Sequence, residues 1–377
     1  MISKKYLSFY FLSHFISLSM QEDEEKVNYF KGRGSQINTS SKFLKNRYVT
    51  EHDEGLDEPL LNDEKTQIFF EHPKKIINLV KSPDIPGMYS MNPYQGCEHG
   101  CIYCYARNTH EYWGYSAGLD FERKIIAKPN AAQIMEKQFR NKNWIVSPIM
   151  FSGNTDCYQP IENKLKITRR MLEVLVNFRH PVGIITKNSL ILRDTDLLQE
   201  LAKYNLVHVM VSITTLREEL RLKMEPRTAT SKNRLKVVEQ LCKAGVPVGV
   251  MIAPVIPGLN SDEIPALIKV AANHGADSAG YQIVRLNGAV AELFKDWIHK
   301  NFPNRAEKVL NHIKDAHGGQ LNDSRFGKRM SGEGNMIRSI NQLFEMAVKK
   351  HLSGRDKFEY DLTAFCRPGE IKQMELF

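Results

Sequence analysis

Asn92-Pro93-Tyr94-Gln95-Gly96-Cys97-Glu98-His99-Gly100-Cys101-Ile102-Tyr103-Cys104-Tyr105-Ala106-Arg107 carries three of the chain's six cysteines, spaced C-x₃-C-x₂-C. Three thiolates converging from one loop make a soft-ligand site, suited to zinc or to an iron–sulfur cluster. A closed zinc site needs a fourth ligand, and His99 within the loop and His110 just beyond it are candidates. An open [4Fe–4S] cluster needs only the three cysteines and leaves one iron free for another molecule. Disulfides would be out of place beside this loop in a chain that otherwise reads as cytosolic.

Downstream of the loop, short apolar, β-branched runs recur at 145–151, 182–186, 207–213, 246–256 and 279–286. Segments with helical spacing lie between them. Over 232–244, Leu235, Val238 and Leu241/Cys242 share a face, which predicts a core position for Cys242, and Gly245 ends the helix. Asp194 is placed to cap a helix carrying Leu197, Leu198 and Leu201. Alternating strands and helices of this rhythm predict βα repeats around a parallel sheet. A strand at 88–93 leading into the cysteine loop brings the count to six. The expected fold is α/β, a partial (β/α)6 barrel with chemistry in the loops after the strands' C-terminal ends. The expected boundaries are an extended arm at 1–84, the barrel at 85–290, a helical appendage at 291–372 and a tail at 373–377. In the appendage, helical patterns at 305–317 and 335–350 flank a Gly-rich basic loop at 325–334.

C-x₃-C-x₂-C with an aromatic residue, Tyr103, just before the last cysteine resembles the signature of radical S-adenosylmethionine (SAM) enzymes. The resemblance covers about residues 85–290. It implies that Cys97, Cys101 and Cys104 hold three irons of a [4Fe–4S] cluster whose fourth iron binds SAM. One-electron reduction from an electron donor would then release a 5′-deoxyadenosyl radical, with Tyr103 near the adenine. Many members carry Gly-Gly-Glu after the second strand to contact the cofactor's amino group. Here that stretch reads Ser152-Gly153-Asn154-Thr155-Asp156, so only Gly153 matches, and Asn154 and Asp156 are candidates for the role. Ser212 and Thr214, ending the fourth strand, and Arg227 beyond it are candidates for the cofactor's carboxylate or ribose.

Asn92-Pro93-Tyr94-Gln95-Gly96-Cys97, Cys104-Tyr105-Ala106-Arg107 and Thr155-Asp156-Cys157-Tyr158-Gln159-Pro160-Ile161-Glu162 resemble a narrower branch, spore photoproduct lyase and the DNA repair photolyase-like proteins. In that lyase a cysteine near the second strand's end returns a hydrogen atom to the product, which makes Cys157 a candidate catalytic residue. Gln373-Met374-Glu375-Leu376-Phe377 resembles the bacterial sliding-clamp-binding pentapeptide. Gln373, Leu376 and Phe377 match it, and the last two offer apolar anchors to a preformed pocket. The expected function is a cytoplasmic radical SAM enzyme acting on nucleic acid. The alternatives are the same chemistry on a small molecule, RNA or protein, or a non-catalytic zinc- or cluster-binding module.

The 377 residues suffice for a large hydrophobic core and, with 42% hydrophobic residues, exclude a disulfide-built mini-protein or a wholly disordered chain. Lys and Arg number 52 against 43 Asp and Glu, a net charge of +9. That balance permits an anionic partner without requiring one. Within the arm, Lys31-Gly32-Arg33-Gly34-Ser35 has a flexible, cationic composition suited to phosphate contacts, and a solvated leader that wraps the core is an equally weighted reading. The stretch from Tyr6 to Ser19 after Lys4-Lys5 is too short to span a bilayer and is broken by serines and a histidine. The favoured reading is that translation begins at Met20, ahead of an acidic cluster.

Overall fold

The computed structural model describes residues 30–41, 43, 65–84 and 89–369. All elements named below belong to the compact unit formed by residues 32–377. The strands are β1 (Gln67–Phe70), β2 (Ile77–Leu79), β3 (Tyr89–Met91), β4 (Tyr94–Gln95), β5 (Lys124–Ala127), β6 (Ile149–Phe151), β7 (Val182–Thr186), β8 (Val207–Ser212), β9 (Val248–Val255) and β10 (Ala279–Ile283). The larger sheet runs β10-β9-β8-β7-β6-β3-β2, and its first six strands are mutually parallel. β2 closes one edge antiparallel to β3. A small sheet, β1-β5-β4, lies apart from it. This is the six-strand partial barrel, with strand edges shifted from the apolar runs. The run at 145–151 shortens to β6 because Pro148 has no backbone donor, and Ile145 is exposed. Pro247 likewise delays β9.

The helices are α1 (Leu119–Arg123), α2 (Ala131–Phe139), α3 (Glu162–Leu165), α4 (Ile167–Phe178), α5 (Thr195–Ala202), α6 (Glu218–Met224), α7 (Ser231–Lys243), α8 (Ile264–Asn273), α9 (Ala289–Asn301), α10 (Ala306–Ala316) and α11 (Asn335–His351). Beyond α7, Gly245 takes φ +77°, and the amides of Gly245 and Val246 bond back to Cys242 O and Leu241 O at 2.9 and 3.0 Å. That double bond back onto the last turn needs the left-handed conformation glycine adopts freely.

Two local expectations are corrected. Cys242 is exposed rather than core. The buried residues of α7 are Ser231, Arg234, Leu235, Val237, Val238 and Leu241, so Leu235, Val238 and Leu241 pack inward as expected and Cys242 falls beyond the edge of their face. Asp194 occupies the cap position of α5 but makes no cap bond. Its buried carboxylate instead accepts from Arg169 at 2.9 Å and Arg193 at 2.7 Å.

Of the two readings of the arm, the contacts around Arg33 favour a leader that wraps the core. Arg33 is buried and donates to Glu122 O at 2.9 Å, while the amides of Gly34 and Ser35 donate to the Glu122 carboxylate at 3.1 and 2.8 Å. Residues 67–79 supply β1 and β2. In the basic loop, Arg325 pairs with Asp323 and Glu333, Lys328 with Glu333, and Arg329 with Asp84. Its charge is therefore neutralised from within. The segments 1–29 and 370–377, which include Met20 and the clamp-like pentapeptide, lie outside the described residues. No helix among the described residues is long and apolar enough to cross a membrane.

Candidate functional site

The cysteine loop follows β3 and β4 at the C-terminal end of the parallel sheet. Two glycines shape it. Gly96 and Gly100 take φ +74° and +69°, and a Cβ at Gly96 would lie 2.8 Å from Lys124 O. Arg107, fully buried, holds the loop from beneath. Its Nε donates to Cys101 O at 2.9 Å, and its terminal nitrogens donate to Ala117 O, Gly118 O and Glu122. Glu122 thereby joins the loop, through Arg107, to the arm's Gly34 and Ser35. A buried ion pair of this kind holds only when its remaining lone pairs are satisfied, and here backbone amides satisfy them.

A second brace comes from the loop after β6. Asn92 Oδ1 accepts from the amides of Asn154 and Thr155 at 2.9 and 3.3 Å. Thr155 Oγ1 donates to Tyr94 O at 2.6 Å. Gln159 accepts from Glu98 N at 2.9 Å and donates to Gly96 O at 3.2 Å. Tyr94 donates its hydroxyl to Glu162. The sequence words around 92–97 and 155–162 are thus two loops bonded to each other. The appended helices form a third support: Val290, Phe294 and Trp297 of α9 share an apolar cluster with Ile102, Tyr103 and Met224.

Cys97, Cys101 and Cys104 line one cavity, partly open to solvent. Tyr103, Asn154, Asp156 and Ser212 line it too, a concave setting at the strand ends where small-molecule sites occur. Burial pushes the thiols up: Cys97 well above its ordinary value, where Asp156 adds to the effect, Cys101 to about 12 and Cys104 less far. They stand protonated at neutral pH, so a metal binding there must displace protons. No three His, Cys, Asp or Glu among the described residues are gathered to hold a single ion.

Asp156 accepts from Thr186 Oγ1 at 2.9 Å and from Lys187 N at 2.8 Å, with His99 Nδ1 at 3.4 Å. Its carboxylate therefore ties the loop after β6 to the end of β7. Burial lowers the His99 pKa to about 4, against the pull of Asp156. Ser212, at the end of β8, has a buried hydroxyl with no partner among the described residues. A buried hydroxyl at a cavity wall is free to bond a ligand or a water there.

The remaining candidates stand elsewhere. The Gly153 carbonyl accepts from the Tyr105 hydroxyl. Thr214 donates to Glu225 at 2.8 Å. Arg227 pairs with Glu98 at 3.5 Å, and its amide donates to His99 O. Thr214 and Arg227 support the cavity wall without facing the cavity. Cys157 is fully buried in the barrel core, with its amide on Ser152 Oγ and its carbonyl on Thr168 Oγ1. The lining does not include it. His110 is buried among Tyr115 and Phe121 and does not reach the cavity either.

Three lining or supporting residues were missed by sequence reasoning. Lys187 and Arg285 line the cavity directly after β7 and β10, and a charged residue at the end of an apolar strand was the available signal. Glu225 had none. It is fully buried and accepts from Tyr103, Thr214 and Arg234. Burial alone would raise its pKa, but the Arg234 guanidinium and Lys187 hold it down to about 2. It fixes the Tyr103 ring, over which Lys187 Nζ sits 6.0 Å from the centroid.

The Radical SAM superfamily model matches residues 91–271. An uncharacterized protein of Methanocaldococcus jannaschii is 30% identical over 240 residues, 63% of this chain and 85% of that protein. Uncharacterized proteins of Mycobacterium bovis and Mycobacterium tuberculosis are 32% identical over 221 residues, 58% of this chain. The chain spans 65% of the length of these mycobacterial relatives. In fold it is similar to a spore photoproduct lyase mutant with bound AdoMet and dinucleoside spore photoproduct. The TM-score is 0.56 at 15% identity, covering 78% of this chain and 82% of that one. The matched span encloses the cysteine loop and four of the six parallel strands, β6 to β9, and the chain belongs to the radical SAM superfamily of enzymes.

Proposed function

We propose that this chain binds a [4Fe–4S] cluster through Cys97, Cys101 and Cys104, cleaves SAM reductively, and acts on nucleic acid. The observation that carries the chemistry is the convergence of three thiols, two of them buried, and the unpartnered Ser212 hydroxyl on one cavity at the ends of six parallel strands. When bound, the cluster would supply the electron that splits SAM into methionine and a 5′-deoxyadenosyl radical. The chain's own residues bind, orient and exclude. Ser212 offers a hydrogen bond to the cofactor, and Asn154 is positioned by Gln95 and Thr109 at 3.2 Å each. Lys187 provides a cation for a carboxylate beside Tyr103. Phe121, Ile185, Met251 and Val284 line the cavity with apolar surface that keeps water from a reactive radical.

The nucleic-acid reading is supported by the shared fold with spore photoproduct lyase, whose solved complexes hold a dinucleoside spore photoproduct. The C-terminal pentapeptide Gln373–Phe377 would dock the enzyme on a sliding clamp. The test is anaerobic reconstitution with iron and sulfide, followed by reduction with SAM in the presence of ultraviolet-irradiated or intact DNA. Release of 5′-deoxyadenosine that rises with irradiated DNA is expected. Cleavage of SAM indifferent to any nucleic acid would retain the radical chemistry and remove the substrate.

A further inference from the structure

Two cations face the cavity, and they stand at different places in it. Lys187, after β7, lies over the Tyr103 ring and within electrostatic reach of Cys101 and Glu225. Arg285, after β10, has Tyr105, Arg329 and Asp84 as its charged or titratable neighbours. Arg329 is already bonded to Asp84 and Ser82, and Asp84 also accepts from Gly327 N. Arg285 is half-buried and has no hydrogen-bond or ion-pair partner among the described residues. Burial and Arg329 both weigh against its charge, and Asp84 compensates only in part. A guanidinium desolvated in this way gains most from an anion that fits its planar fork.

Tyr105 lines the same cavity, within electrostatic reach of both Cys104 and this guanidinium. Its hydroxyl is fixed on Gly153 O, and 46% of its surface is exposed. An aromatic face held rigidly beside an unpaired arginine matches a base and its neighbouring phosphate.

We propose that Arg285 receives a phosphodiester of a nucleic-acid strand while Tyr105 stacks on an adjacent base. This places the reacting nucleotide over the cysteine end of the cavity, and it rests on the nucleic-acid reading above. The two are tested separately, because this inference is read from binding and that reading from SAM cleavage by the unaltered enzyme.

The test uses the cluster-loaded full chain with SAM and two fluorescent thymidine dinucleotides, one with the natural phosphodiester and one with an uncharged methylphosphonate linkage. Anisotropy titration should show about tenfold tighter binding of the charged probe, the order expected for one charge-assisted contact. R285A should abolish that preference, and R285K should keep part of it. R285Q, which retains most of the side-chain volume, is titrated alongside so that a misfolded alanine variant does not decide the result. Equal binding of the two probes by the unaltered protein, or a preference that survives in both R285A and R285Q, would overturn the proposal.

Discussion

Cys97, Cys101 and Cys104 share a wall of one cavity, whereas Cys157, two residues beyond Thr155 in the same lining loop, turns into the core. The distinction predicts opposite phenotypes. C97A, C101A or C104A leaves too few thiolates for a cluster and should remove the iron–sulfur absorbance after reconstitution. C157A should keep that absorbance and lose about 1 kcal/mol of stability, as expected for trimming a small buried side chain. Full cluster content in C101A would contradict the assignment of ligands. At this scale much of the site was legible, because spacing of thiols is a local property of the chain. Glu225 was not, since its role depends on Tyr103, Thr214 and Arg234 meeting through the fold. Arg234 shows the same limit from the other side: it is buried on α7 beside Leu235, Val238 and Leu241 through bonds to Ser212 O and Glu225, partners that no local pattern reveals.

Among the elements, the strands were readable from their β-branched runs, and their true edges were set by Pro148 and Pro247. The arm's two readings, phosphate contacts or a leader wrapping the core, stayed open in the sequence because composition cannot reveal a partner. Gly34 passes so close to the cysteine loop that a Cβ there would overlap the Gly100 carbonyl oxygen. G34A should therefore push the arm off the loop, release the Glu122 carboxylate from two backbone donors and lower both stability and iron incorporation. The thermal midpoint should fall by several degrees, corresponding to about 2 kcal/mol or more for a lost buried contact of this kind. Unchanged stability and iron content in G34A would show that the arm does not support the loop. The words shared with the photolyase-like branch were legible as a resemblance. Their physical role, two loops bonded through Asn92, Thr155 and Gln159, needed the tertiary structure.

For the molecule as a whole, acid sensitivity should come from histidines buried in neutral form. His180 is fully buried, stacks on Phe139 at 4.4 Å, accepts from the Trp144 indole at 3.1 Å and faces Pro181 O through its other nitrogen. Burial lowers its pKa to about 4, outweighing the bond to Pro181 O. The unfolded chain takes up this proton near pH 6.5 and the folded chain only near pH 4. Stability contributed by the neutral ring is thus complete above about pH 6.5 and lost as pH falls toward 4, up to about 3 kcal/mol. Denaturant midpoints measured across that window should fall less steeply in H180F, and identical slopes would exclude His180 as a source.

The fold, the cysteine loop and the cavity converge on reductive cleavage of SAM, and one measurement addresses it directly. The reconstituted, reduced protein is incubated anaerobically with SAM, and methionine and 5′-deoxyadenosine are quantified by mass spectrometry. Both products in equal amounts, absent in C97A, C101A and C104A, are expected. A cluster-loaded protein that leaves SAM intact, or a preparation that binds zinc tightly in place of the cluster, would contradict it.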